Sequence, residues 1–355
     1  MSPAAKPAKT AKRSKAPARA AAPAARPPTS WAPASAPAAA PRATASGSAP
    51  RRQVNYAGDF GLGVYEVARK EVLQHIRTKR LLIIAIAMAI LLFAVTLVFG
   101  PRIANNFDAD GPNSHENIVL AFYFGFGLIG GLIFTQLLSI VLTSDAVCSE
   151  WNNRTIFLLL SKPVSRTAFV VGKFLGNVVV LAGTIALLFT VDYILMQPFY
   201  DGSPSGAEVG GFFKTLLVVI LGCTAYASMA LFFSTLTRST IQSTLLTLAM
   251  WIIILPLVGA LGLFSSIGDD NAGSEEFFDS KKVQTTLYFN PASCMQATVQ
   301  LLLPHDNGEF TETLRFLNFF NPAPNNLGLA ATSLAIYAAV FFAASILVVQ
   351  RRNFE

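Results

Sequence analysis

The chain has 355 residues, of which 53% are hydrophobic and 13% charged. A soluble domain carries about 25% charged residues, so the composition excludes an ordinary soluble globular protein and requires that much of the surface lie in lipid. The formal charge of +7 is concentrated: ten Lys/Arg and no acid fall between Met1 and Arg52, leaving seventeen basic against twenty acidic residues for the rest.

Residues 1–58 are rich in Ala and Pro, with scattered Lys and Arg. They lack the bulky apolar side chains that offset ordering entropy, which predicts a disordered basic cytoplasmic tail. The segment reads as a solvated tether, with adhesion to anionic lipid or an acidic partner as the sharper alternative. No folded recognition element accompanies the charge, so nucleic acid is not an expected partner. A secretory signal needs an apolar run of about 7–15 residues. None occurs before Leu81, so a cleaved signal is not expected.

Residues 59–80 are expected to form an amphipathic helix on the inner membrane surface. Val64, Ala68, Val72 and Ile76 share one face, with Glu66, Arg69, Lys70, Gln74 and Arg77 elsewhere on the wheel. Six apolar stretches follow, at 81–99, 118–143, 170–196, 212–236, 241–267 and 327–349. Each approaches the roughly 20 residues that cross the hydrocarbon of a bilayer. Gly100-Pro101 is expected to end the first span, Gln197-Pro198 the third, and Arg351-Arg352 the sixth. Pro256 is expected to kink the fifth. The fold class is therefore an all-α membrane protein with six transmembrane helices.

Lys/Arg asymmetry predicts that both termini are cytoplasmic. In that orientation twelve Lys/Arg of the folded part lie inside and five outside, namely Arg102, Lys214, Lys281, Lys282 and Arg315. Such a chain belongs in a cell membrane, a bacterial inner membrane being the expected one. Cys148, Cys223 and Cys294 fall in three different compartments, so no disulfide or metal site is expected. Residues 268–326 form a long outer segment. A helix over 292–303 is expected to rest its Met295, Val299, Leu302 and Leu303 on the outer surface, with a second short helix over 311–319.

Chemistry is sparse. His75, His115 and His305 are scattered, and no H-E-x-x-H, G-x-S-x-G or G-x-x-x-x-G-K-[ST] run occurs, so no catalytic residue is assigned. Asp192 is the one acid within an expected span. It is expected near the outer interface, within reach of water, as a possible path or interhelical residue. Gln136, Asn177 and Thr184 are candidates for interhelical hydrogen bonds.

The inner loop at 144–166 reads SDAVCSEWNNRTIFLLLSKPVSR. The apolar run from Ile156 to Leu160 is too short to span, and Pro163 disfavours helical geometry at Lys162. The stretch 145–173 carries Glu150, Arg154-Thr155, Leu158-Leu159-Leu160, Ser161-Lys162-Pro163-Val164-Ser165-Arg166 and Gly172-Lys173. It resembles the inner loop of type-2 ABC exporter permeases, and the resemblance extends over most of the chain beyond the tail. Asn153-Arg154 stands where that family often has a glycine before the threonine.

The resemblance implies an exporter permease. A separate cytoplasmic ATPase would bind ATP, leaving this chain without enzymatic activity or a cofactor. A second copy or a related permease would complete the pathway. It also implies that the loop couples to the ATPase, with Glu150, Arg154, Thr155, Ser161, Lys162, Pro163 and Arg166 as the site. Lys173 belongs to that set, or is a snorkelling anchor at the start of the third span. A secondary transporter or channel is the alternative, although such proteins usually carry more buried ionisable groups or inverted repeats. A membrane scaffold is the other.

Overall fold

The computed structural model describes residues 56–106, 131–152, 165–199, 206–254, 257, 281–301 and 324–351. The expected basic tail lies almost wholly outside the described residues, as do most of the 144–166 loop, Pro256 and the expected helix over 311–319. The described elements are helical. They run α1 (Tyr56–Arg77), α2 (Lys79–Asn106), α3 (Gly131–Thr143), α4 (Cys148–Asn152), α5 (Arg166–Met196), α6 (Gly206–Leu236) and α7 (Thr240–Ala249). A π turn (Met250–Ile254) extends α7, and α8 (Lys281–Tyr288), α9 (Pro291–Leu301) and α10 (Leu327–Arg351) follow.

Among the described residues, four stretches are long and apolar enough to cross a membrane: Ile133–Asn152, Arg166–Leu195, Val209–Leu236 and Leu327–Arg351. The last three coincide with the expected third, fourth and sixth spans; Ile133–Asn152 overlaps the expected second span, 118–143, only over 133–143 and continues to Asn152. The first and fifth fall on shorter apolar helices, Leu81–Ala94 and Thr240–Ile253.

At the centre is α6. Its sequence is apolar all round, the signature of a helix surrounded by others rather than laid on a surface. Every position from Ala225 to Leu231 is buried, and α3, α5, α7, α9 and α10 all pack against it. Ala225, Ala227, Ser228 and Ala230 are small enough to let neighbouring backbones approach. Tyr193 of α5 stacks on Phe212 near one end of α6, with ring centroids 4.8 Å apart. Phe174 of α5 stacks on Phe342 of α10 at 4.4 Å.

Four sequence expectations need correction. The first concerns α1. Its stripe facing α5 is Gly63, Val67 and Glu71, one position away from the expected face. Val64, Ala68 and Val72 are half-buried, and Ile76 is 64% exposed. Hydrophobic spacing marks an apolar arc, but close backbone approach decides which part meets protein. Gly172 and Gly176 of α5 supply that approach. A Cβ on Gly172 would lie 2.7 Å from Val67 Cβ and 2.8 Å from the Val64 carbonyl oxygen.

The second correction concerns α2, which continues through Gly100-Pro101 to Asn106. A proline removes one backbone donor, and a helix in an apolar setting can carry on past it. The third concerns α9. Cys294, Met295 and Ala297 are wholly buried rather than resting on the outer surface. Met295 lies against Gly222 of α6, where a Cβ would come 2.3 Å from its Cγ. The missing side chain is the notch that admits the methionine. The fourth concerns Asp192, which is 1% exposed and shielded from solvent within the protein.

Overpacking a tight helix contact costs about 1–3 kcal/mol. Gly172→Ala is therefore expected to lower the melting temperature of the purified protein by several degrees. Gly183→Ala, with nothing within 4 Å of its Cβ position, is expected to leave the temperature unchanged or slightly raised. Thermal unfolding followed by circular dichroism in detergent distinguishes the two.

Candidate functional site

Ser165 starts α5. Its side-chain oxygen accepts from the Ala168 N–H at 3.1 Å, satisfying one of the free donors of the first turn. The cap sets where the helix begins and so which residues face α1. About two turns further on, Lys173 points inward and is only 2% exposed. An ammonium group in such a place must be paired, because burying it alone costs several kcal/mol.

Two carboxylates reach it. Lys173 Nζ donates to Glu71 Oε1 of α1, itself 3% exposed. The same Nζ lies 3.1 Å from Glu150 Oε1 of α4. Glu150 also accepts from Lys70 Nζ at 2.9 Å. Lys173 further sits 5.3 Å from the centroid of the Phe169 ring, one turn earlier in α5, in cation–π range.

A second layer orients the first. His75 lies one turn after Glu71, and its Nε2 is 3.9 Å from Glu71 Oε2. That nitrogen is 2.8 Å from Asn177 Oδ1, an oxygen that can only accept, so the ring donates from Nε2. Asn177 Nδ2 in turn donates to the Lys173 carbonyl at 2.9 Å. Each helix places its pair at i, i+4, on one face.

The short helix α4 is also held from its other side. The Val147 and Cys148 N–H groups both donate to Ser234 Oγ of α6, at 3.0 and 3.2 Å. A side chain from another helix thus satisfies donors that a local cap would otherwise take. Cys148 Sγ donates to the Ser234 carbonyl at 3.1 Å. Ser144 Oγ and Thr244 Oγ1 of α7 are 2.9 Å apart, and the Arg238 guanidinium stands 5.6 Å from the centroid of the Trp151 ring. The segment 144–152 is therefore tied to α1 and α5 by charge, and to α6 and α7 by hydroxyls.

The structure sorts the expected site residues. Glu150 was expected to offer a polar contact to a partner, and it is instead turned inward at 6% exposure. Lys173 is no snorkelling anchor, since its ammonium is enclosed by the two carboxylates. Arg166 opens α5 and is exposed. Arg154, Thr155, Ser161, Lys162 and Pro163 lie outside the described residues. Gln136 is buried away from this cluster, where its Oε1 accepts from Trp251 Nε1 and its Nε2 lies 3.7 Å from Met295 Sδ. Asp192, near the far end of α5, also stands apart.

Sequence reasoning missed Glu71, Lys70 and Ser234. Glu71 carried a usable signal: it falls four residues after Val67, within the apolar arc rather than opposite it. On α1 an open groove of about 570 Å³ is lined by Glu66, Arg69, Lys70, Gln74 and Arg77, among others. Cys148, Cys223 and Cys294 are buried and free. Among the described residues no group of three His, Cys, Asp or Glu side chains could hold a metal ion.

Apolar helices around a largely buried central helix, with a charge cluster binding a short interhelical segment at one end, define a multi-pass membrane protein. The family described as ABC-2 family transporter protein matches residues 65–354, and the chain belongs to that family. It is thus a permease subunit of an ABC transporter, in a family whose members normally work with an ATPase subunit. No curated protein matches the chain by sequence.

Removing one partner from a buried ion pair costs about 3–5 kcal/mol, because the other charge is stranded. Lys173→Met is expected to destabilise the protein by about that amount. The double variant Lys173→Met/Glu71→Met is expected to recover part of the loss. Denaturant-dependent unfolding of both variants in one detergent checks the order.

Proposed function

We propose that this permease couples ATP hydrolysis on a separate cytoplasmic ATPase to export of a substrate, and that the segment 144–166 is where the ATPase engages it. In this reading six helices span the membrane, both termini are cytoplasmic, and two permease subunits line the path. The observation that carries the proposal is the anchoring of residues 144–152 by four helices at once: α1 and α5 through Glu150, α6 through Ser234 and α7 through Thr244. A loop that merely connected two spans would need no such attachment. A loop that transmits a push must not yield at its root. The position of the loop between two apolar helices, the second of them beginning at an exposed Arg166, also supports the reading.

Solubilising the tagged chain in mild detergent from its native host tests this. A nucleotide-binding subunit is expected to co-purify in stoichiometric amount. Arg166→Glu is expected to reduce its recovery by about tenfold, since reversing a rim charge opposes encounter with a complementary surface, while the melting temperature stays within a degree or two. The absence of any such subunit, with Arg166→Glu behaving as wild type, would overturn the proposal in favour of an ATP-independent transporter or a scaffold.

A further inference from the structure

The cluster at Lys173 contains more than is needed to hold a loop still. Its charges divide unequally between interior and solvent. Glu71 and Lys173 are both almost completely enclosed, whereas Glu150 is enclosed but its second partner, Lys70, has a side chain 49% exposed. If α4 tilts so that Glu150 leaves Lys173, the pair that remains inside is Glu71 with Lys173, which is neutral as a unit. What departs is a carboxylate with a cation beside it that already meets water. No stranded charge is left in the interior. That is the condition under which a buried ionic contact can open without the large penalty that breaking a lone pair incurs.

The opposite end of α4 is built differently. Ser234 Oγ receives two successive backbone N–H groups, from Val147 and Cys148. Cys148 Sγ is 3.3 Å from Thr237 Oγ1 and 3.1 Å from the Ser234 carbonyl. These contacts are neutral, short and buried, so opening them would leave backbone donors unsatisfied, at about 1–3 kcal/mol each. One end of the short helix is thus fixed, while the other is held by a contact that can let go.

We propose that Glu150 and Lys173 are positioning residues forming a releasable latch for α4, and that the Val147/Cys148 contacts with Ser234 form the pivot about which α4 turns when the latch opens. The proposal rests on reading the 144–166 segment as the element an ATPase engages. It adds that the root of this segment has two positions, one of them latched. Glu71 and His75 serve by keeping Lys173 paired and oriented in both.

Residue-resolved hydrogen–deuterium exchange on the purified full-length protein in lipid nanodiscs tests the latch without any ATPase, so its failure is separable from failure of the coupling reading. In Glu150→Gln, the amides of Glu150 and Trp151, which bond to the Val147 carbonyl, are expected to exchange at least about tenfold faster. The amides of Val147 and Cys148, and those of α1 and α5, are expected to keep their protection. Glu150→Asp retains the charge and is expected to restore part of the protection. In Ser234→Ala the pattern reverses, with Val147 and Cys148 losing protection first.

Either of two results overturns the proposal. Glu150→Gln could loosen α1, α4 and α5 together, which would make the cluster one static unit. It could also leave residues 150–152 as protected as in wild type, which would mean that Glu150 holds nothing. Should Ser234→Ala not yield folded protein, Ser234→Thr, which keeps the hydroxyl, paired with Glu150→Gln still decides between latch and static unit.

Discussion

An ammonium group inside an apolar helix bundle is stable only where carboxylates reach it, and Lys173 is reached from two directions. Glu71 comes from the helix that precedes the first expected span, and Glu150 from the segment after α3. Two stretches of chain distant in sequence, α1 and α5, must therefore meet before that charge is satisfied, and the segment 144–152 brings a second carboxylate to the same point. The cost of failing to assemble them is the cost of an uncompensated buried ion, and this makes the cluster a determinant of register as well as a contact. A slip of α1 along α5 by one turn would strand both charges. Apolar contacts alone would tolerate such a slip far better, because dispersion and burial are insensitive to small displacements.

The remainder of the bundle follows from α6. Small residues along its length let five other helices approach, and α9 enters the assembly through the gap left at Gly222. The polar groups along these interfaces are largely absorbed locally. Thr184, Thr224 and Thr247 each return a hydroxyl bond to the carbonyl four residues back, which absorbs the hydroxyl within its own helix. Gln136 is different: its amide reaches Trp251 and Met295 across three elements.

Sequence made the apolar stretches legible because crossing a bilayer requires length and freedom from charge, and both are visible one residue at a time. It also exposed the 144–166 segment as unusual through its order of residue types. Which way a residue faces was less accessible. Lys173 follows a glycine near the start of an apolar span, where most lysines reach back to water, and only the position of Glu71 reverses that reading. Glu71 itself sits among charged neighbours in sequence, and only its place within the apolar arc of α1 sets it apart from a solvated acid. Met295 was expected on a surface because its helix is short and lies outside the apolar spans. Its burial depends on the absence of a side chain at Gly222, more than seventy positions earlier. Pairwise geometry of this kind leaves no periodic trace in a single sequence.

The contact between α1 and α5 has a mechanical consequence. At Gly172 and Gly176 the surface of α5 is bare backbone, and it meets Val64 O, Val67 Cβ, Ala68 O and Glu71 Cβ of α1. Side chains can absorb a displacement by changing rotamer, which gives most helix interfaces some compliance. Main chain against main chain has almost none. Between Val64 and Glu71 the two helices are therefore stiffly joined, so that a displacement of this part of α1 is expected to carry α5 with it. The softness the molecule needs in order to move has to reside elsewhere, in the few places where long side chains and water share an interface.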